Sequence, residues 1–207
     1  QQEILDETGL KPETFAGDLL NEGDILSLVK QTEERLGPVY ALDLNSGGPR
    51  PGGFDALSDS DWQQGFELCL LSYIRAIRAA LPGMKAAGGG RILCNTSSSI
   101  KRVLEGLILS NTFRLGVVGL AKTLSRELGG EGILVNVIGA GQFKTERVDS
   151  LDRERAKKAN MTVQEWEAGT TAGIPLGRYG STDEFGRLAA FLCSPANTYI
   201  TGQSILA

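Results

Sequence analysis

The 207-residue chain is 41% hydrophobic and 22% charged, enough apolar material for one globular domain with a sizeable core. Its net charge of −4 gives no basic footprint for nucleic-acid binding, and no run is long and apolar enough to span a bilayer. Histidine, the commonest general base and metal ligand, is absent. Cys69, Cys94 and Cys193 lie in apolar contexts without metal-ligand spacing, which reads as free buried thiols in a reducing cytoplasm and no metal site.

In chain order, residues 1–8 read as the tail of a helix and 14–19 (TFAGDL) as a short strand ending at Asp18. A helix over 22–36 follows, closed by Gly37-Pro38, then a strand over 39–44 and the turn residues 45–49 (NSGGP). Apolar residues at helical spacing from Phe66 to Leu81 predict a long helix over 62–84. Residues 91–95 (RILCN) form a short apolar strand bounded by glycines and serines. The cluster Ser97 to Ser99 therefore stands at a strand end, where open α/β sheets bind ligands.

A second long helix runs from about 109 to 128, with Ser110 and Arg114 four apart on one face. Residues 133–138 (ILVNVI) form the next strand, opening into Gly141-Gln142-Phe143-Lys144-Thr145. The charged segment 146–173 breaks the rhythm, carries a capping box from Thr162 to Glu165, and is placed to act as a lid, an insertion spanning about 146–178. A capping box at Ser181 to Glu184 starts a last helix, and 199–206 reads as the last strand. Alternating strands and helices imply parallel strands with helical crossovers, hence a doubly wound parallel α/β sheet, Rossmann-like, in one domain over 1–207.

With these residues in order, the chain resembles the short-chain dehydrogenases/reductases over essentially its whole length. Asp18 resembles the acidic residue that contacts the cofactor's adenine, and Asn45-Ser46-Gly47 the Asn-Asn-Ala-Gly motif, with Leu44 in place of its first Asn. Ser97 matches the active-site serine. Gly141, Phe143 and Thr145 fall in the turn that embraces the nicotinamide amide, and 200–203 (ITGQ) resembles the final strand. The loop 47–51 (GGPRP) and the Ser110-Asn111-x-x-Arg114 spacing are similar to a divergent 3-oxoacyl-acyl-carrier-protein reductase-like group. The resemblance implies an oxidoreductase that uses NADP or NAD to interconvert a carbonyl and an alcohol. It also implies a homodimer or homotetramer built through the 62–84 and 109–128 helices.

The departures bear on the chemistry. The family's first βα unit with its glycine-rich phosphate turn is absent from the sequence, and both ends are expected to lie inside a longer protein. The Tyr-x-x-x-Lys pair is replaced by Ser110 and Arg114, and Cys69 stands where an asparagine normally holds a water. A serine hydroxyl is a weak, short acid, and an arginine does not readily surrender its proton. Ser97, Ser110 and Arg114 are the candidate catalytic residues, with Asp18, Asn45, Gly47, Gly141, Phe143 and Thr145 as candidate cofactor contacts.

Plainer roles stay open beside these. Ser110 reads equally as a helix N-cap, Arg114 as the partner of a lid carboxylate, Asn45 as a brace between strands, and Tyr73 and Trp166 as core or interface residues. The lost tyrosine and lysine also fit a non-catalytic homologue that serves as a ligand-binding or oligomeric scaffold.

Overall fold

Apolar runs without polar alternation belong to strands covered on both faces, and the computed structural model, which describes residues 2–207, builds its sheet from such runs. Strands β1 (Ala41–Leu44), β2 (Gly90–Ser97), β3 (Ile133–Ala140) and β4 (Ser204–Leu206) form one parallel sheet in chain order. The register sets Leu44 beside Cys94 and Ser97 beside Ala140, so the ends of β2 and β3 emerge together. Helices α1 (Gln2–Thr8), α2 (Glu22–Leu36), α3 (Asp59–Phe66), α4 (Ser72–Ala86) and α5 (Ile108–Leu128) precede α6 (Glu146–Lys158), α7 (Val163–Ala172) and α8 (Thr182–Cys193).

The core has two layers. Ile25 and Val29 of α2, Ile77 and Ala80 of α4, and Val117 and Ala121 of α5 pack on Ile92, Cys94, Val135 and Val137 on one face of the sheet. Leu192 of α8 packs on Leu93 and Ile138 on the other. Helices thus cover both faces, the layered architecture of doubly wound α/β proteins.

The expected helix over 62–84 is longer and less regular. Ser58 and Asp61 form a capping box that starts α3 at Asp59, and a five-residue π turn, Glu67–Leu71, joins α3 to α4. Cys69 is buried inside that turn. Such turns widen a helix locally and re-aim the side chains around them.

Two strands expected from sequence differ. Residues 14–19 form no strand, because β1 pairs with β2 alone and no neighbouring strand among the described residues offers a ladder. Instead the Asp18 carboxylate accepts from Leu20 N, and Asp18 N donates to Asp24, which sets the approach to α2. The last strand shrinks from 199–206 to Ser204–Leu206. The Thr201 hydroxyl takes the Val135 N–H that a strand carbonyl would otherwise accept, and Gly202 turns the chain at φ 69. Asn136 then holds Ile200 O and Gln203 N with its side chain.

Candidate active site

The residues to be brought together come from four elements. β2 ends at Ser97, whose hydroxyl accepts from Ser99 N at 3.2 Å and so starts a short 3-10 turn, Ser98–Ile100. The loop beyond it is pinned to α5 by Asn111, whose amide donates to Leu104 O at 2.9 Å and accepts from Leu104 N at 3.2 Å. Ser110 lies in the first turn of α5 and is buried, with its hydroxyl 3.5 Å from that of Ser99. It is not the N-cap: that position is Leu107, whose side chain makes no capping bond.

Arg114 sits one turn further along α5 and is only 7% exposed. Its guanidinium donates to Asn95 O and to Gly47 O, both at 3.3 Å, and no carboxylate lies within ion-pair distance of it among the described residues. The plainer reading of Arg114 as the partner of a lid carboxylate is therefore replaced by a buried cation held on two carbonyls, across the ends of β1 and β2. A charge buried without a counter-ion is costly and marks a site built for something other than stability.

Sequence reasoning missed the support beneath it. The Tyr73 hydroxyl, buried on α4, donates to the same Asn95 carbonyl at 2.7 Å, and the Asn95 amide donates to Asp43 at 2.7 Å. The Ser46 hydroxyl lies near both the Cys69 thiol and the Tyr73 hydroxyl but makes no hydrogen bond of good geometry. Burial raises the Tyr73 hydroxyl above its usual 10.0, against the opposing pull of Ser46 and the Arg114 charge. Tyr73 therefore stays protonated. The signal was present in the sequence: a tyrosine on a buried helical stripe needs a partner for its hydroxyl.

The candidate cofactor contacts separate into groups. Gly47 touches Arg114, and a Cβ placed on it would meet nothing within 4 Å, so the backbone there is open to a ligand. Gly141 lines the same cavity of about 580 Å³ as Ser97. Thr145 caps the thirteen-residue α6 by accepting from Val148 N, which places a helix N-terminus beside that turn. Phe143 packs edge-on against Phe185 at 5.2 Å and bridges to Gly180, facing α8. Asn45 lines a groove of about 370 Å³ along the open edge of β1 with Leu19, Ile25 and Tyr73; the cross-strand brace is Asn95 to Asp43 instead. Asp18 lines a further cavity of about 230 Å³ against α2.

Residues 146–173 form α6 and α7, closed on each other through Asp152, which accepts from Trp166 Nε1 at 3.1 Å and from the Tyr179 hydroxyl at 2.7 Å. Lys144 ties the turn to both helices through Asp149 and Glu167. No group of metal-ligating side chains and no helix long and apolar enough to cross a membrane occurs among the described residues.

A parallel sheet with a serine at one strand end, a buried cation at the next and a helix N-terminus beside them is the layout of a nucleotide-dependent α/β enzyme fold. The chain belongs to the short-chain dehydrogenase/reductase family: residues 1–207 match the family model described as enoyl-(acyl carrier protein) reductase. It is 30% identical over 193 residues to the NADPH-dependent reductase BacG of Bacillus subtilis, covering 93% of this chain and 74% of that protein. It is 28% identical over 205 residues to the 3-oxoacyl-[acyl-carrier-protein] reductase FabG of Vibrio cholerae, covering 99% and 79%. A variant of the actinorhodin polyketide ketoreductase solved with NADPH superposes with a TM-score of 0.91 at 29% identity, covering all of this chain and 80% of that one.

Proposed function

We propose that the protein is an NADPH- or NADH-dependent reductase that interconverts a carbonyl and an alcohol, with 3-oxoacyl thioesters as its substrate class. The observation that carries the reading is Arg114, a buried guanidinium with carbonyl partners only, set between Gly47 and the Ser97 strand end. The relatives named as NADPH-dependent reductase and 3-oxoacyl-[acyl-carrier-protein] reductase support the cofactor and the substrate class.

The described residues fit the nicotinamide end of such a cofactor. Gly47 leaves room, Thr145 and the α6 N-terminus favour a phosphate, and Arg114 offers a charge toward a ribose or a developing oxyanion. When bound, NADPH supplies the hydride that reduces the carbonyl carbon. The chain's residues do the rest. The Ser97 hydroxyl orients the carbonyl, and Arg114 stabilises negative charge building on the oxygen without giving up its own proton. Ser110, short and turned to Ser99, is a poor proton donor, so the proton that completes the alcohol comes through water.

Around this centre, the 146–178 segment acts as a lid over the cavity, and the protein works in the cytoplasm. The α3–α4 and α5 helices pair with their copies to give a homodimer or homotetramer. The cluster of Trp62, Phe66 and Phe113, with ring centroids 5.7 and 6.0 Å apart, and the half-exposed Leu115 support that surface.

The test is calorimetric titration with NADPH and NADH, followed by reduction of a panel of 3-oxoacyl thioesters. Arg114→Leu should lower kcat by about 10²–10³-fold, the scale of losing one preorganised donor. The buried Ser99–Ser110 contact favours a second reading, a non-catalytic ligand-binding or oligomeric scaffold. Cofactor binding without turnover on any carbonyl would select it.

A further inference from the structure

The cavity that holds Ser97 is lined by two arginines and one carboxylate although the chain as a whole is acidic. Arg102 enters it from the loop after β2, and Arg155 from α6, so two guanidinium groups on separate elements share the cavity with the Ser97 strand end. Lys101 and Arg102 also line the adjoining cavity of about 550 Å³ beyond Gly141 and Gln142. The one carboxylate on the Ser97 cavity is Glu105, which is exposed and makes no ion pair among the described residues. The molecule carries a net charge of −4, so this local excess runs against its overall balance.

Neither arginine makes a hydrogen-bonded ion pair among the described residues. Arg102 makes no ion pair or side-chain hydrogen bond among the described residues. The carboxylate nearest Arg155 is Asp152 at 3.9 Å, and that group already accepts from Trp166 and Tyr179. The loop carrying Arg102 is held on both sides: Arg102 N donates to Ser98 O at 3.2 Å, and Leu104 is clamped by Asn111. Leu104, Leu107 and Leu151 give part of the remaining wall an apolar face. A guanidinium is the group of choice for carboxylate and phosphate, and two on one cavity can bind an anion more tightly than either would alone.

We infer that Arg102 and Arg155 form an anion subsite, so among carbonyl substrates, 3-oxoacyl thioesters included, the protein prefers one that bears a further negatively charged group, a carboxylate or a phosphate. The inference rests on the reductase reading for the word substrate, but the subsite is a binding property that can be read without turnover. In the bound state the carbonyl lies at Ser97 and the anion between the two guanidinium groups, with the short apolar wall beside the linking carbons.

The experiment uses the full protein and three probes of similar size: acetoacetate, dihydroxyacetone phosphate and the neutral methyl acetoacetate. Binding is measured by calorimetry with and without saturating NADPH. An anionic probe should bind at least about tenfold more tightly than the neutral one, the scale of a charge-assisted hydrogen bond. The preference should shrink as salt rises. Whichever of acetoacetate and dihydroxyacetone phosphate binds more tightly identifies the carboxylate or phosphate source. The double variant R102Q/R155Q should lose the preference, while Arg153→Gln, on the same helix but outside the cavity, should keep it. Circular dichroism verifies that both variants are folded. Equal binding of the neutral and anionic probes, or an undiminished preference in R102Q/R155Q, overturns the subsite. An anion preference that persists when no carbonyl is ever reduced leaves the subsite standing and removes the reductase reading instead.

Discussion

The Tyr73 hydroxyl and the Arg114 guanidinium converge on one oxygen, the carbonyl of Asn95, at 2.7 and 3.3 Å. That carbonyl lies two residues before Ser97, so a helix on the same face of the sheet as α5 fixes both the cation and the strand end it addresses. Tyr73→Phe removes the neutral donor but leaves Asn95 O satisfied by Arg114, so no acceptor is orphaned. The expected cost is about 1 kcal/mol, which lowers the melting temperature by roughly 2–4 °C in a chain of this size. Thermal unfolding checks the stability term. NADPH titration of the same variant reads whether Arg114 has lost its position.

Gly139 provides a steric test of the same strand ends. A Cβ at this position would meet Leu206 Cδ2 at 2.7 Å, Ile100 Cδ1 at 2.9 Å and the Ser97 carbonyl oxygen at 3.1 Å. The side chains can rotate, but the backbone of Ser97 cannot move without moving its hydroxyl. Gly139→Ala should therefore destabilise by about 1–3 kcal/mol through overpacking and reduce turnover by more than the stability loss explains. Denaturant unfolding beside steady-state kinetics separates the two.

How far the sequence reveals this arrangement depends on whether the cause is local. Thr162 with Glu165 and Ser181 with Glu184 are capping boxes within four residues, and both helices start where those pairs place them. The alternation of strands and helices that implies parallel pairing follows from the same local periodicity, and Ser97 falls at a strand end as expected. Residues 14–19 have strand-forming character, but whether they pair depends on a neighbour supplied by a distant part of a sheet. The shortened last strand depends on Thr201 and Asn136, side chains sixty-odd residues apart, replacing ladder bonds. The π turn around Cys69 and the meeting of Tyr73 with Arg114 are likewise products of packing between helices, which spacing along one helix does not encode. Phe143 lines a cavity with Gly141 and Gln142 and also packs on Phe185 across the fold, a contact that its place in the turn does not encode.

The cysteines should be chemically quiet. Burial raises the Cys69 thiol, pushes Cys94 to about 12 and pushes the half-buried Cys193 to about 11, with the Asp43 charge adding to the last two. Against the ordinary 9.0, a value near 11 leaves about a hundredfold less thiolate at neutral pH, and thiolate is the reactive form. In the folded protein, a disulfide reagent should label none of the three on the timescale on which it labels all three in denaturant. Fast labelling of one thiol in the native state would show that its surroundings open.

Asp152 holds α6 to α7 and Tyr179 and is 2% exposed. Asp152→Ala leaves the Trp166 indole N–H and the Tyr179 hydroxyl without their acceptor, at about 1–3 kcal/mol for each donor that stays buried. The loss should be local, because α6 and α7 pack mainly on each other. Hydrogen exchange should rise across 146–178 while β2 and β3 remain protected, and Asp152→Asn, which keeps one acceptor, should give a smaller rise. A uniform loss of protection across the sheet would mean that these helices are integral to the core and cannot serve as an independently opening lid.

Acid should remove the stabilisation of the start of α8 only gradually, between about pH 4.5 and 2. The Glu184 carboxylate accepts from the two terminal nitrogens of the Arg178 guanidinium, at 2.7 and 2.8 Å, and from Ser181 N at 2.8 Å. Arg178, the largest cause, and then the Ser181 N–H hold its pKa down from the ordinary 4.5 to about 2. A pKa lower in the folded state means that the unfolded chain binds the proton more readily, so the contribution is fully present above about 4.5 and declines as pH falls toward 2. The pair is solvent-exposed, so salt should weaken it. Glu184→Gln should therefore lower the melting temperature by a constant amount from neutral pH down to about 5. The gap between variant and wild type should then narrow steadily at lower pH, and a gap that stays constant down to about pH 2 would assign the effect to the cap geometry rather than to the charge.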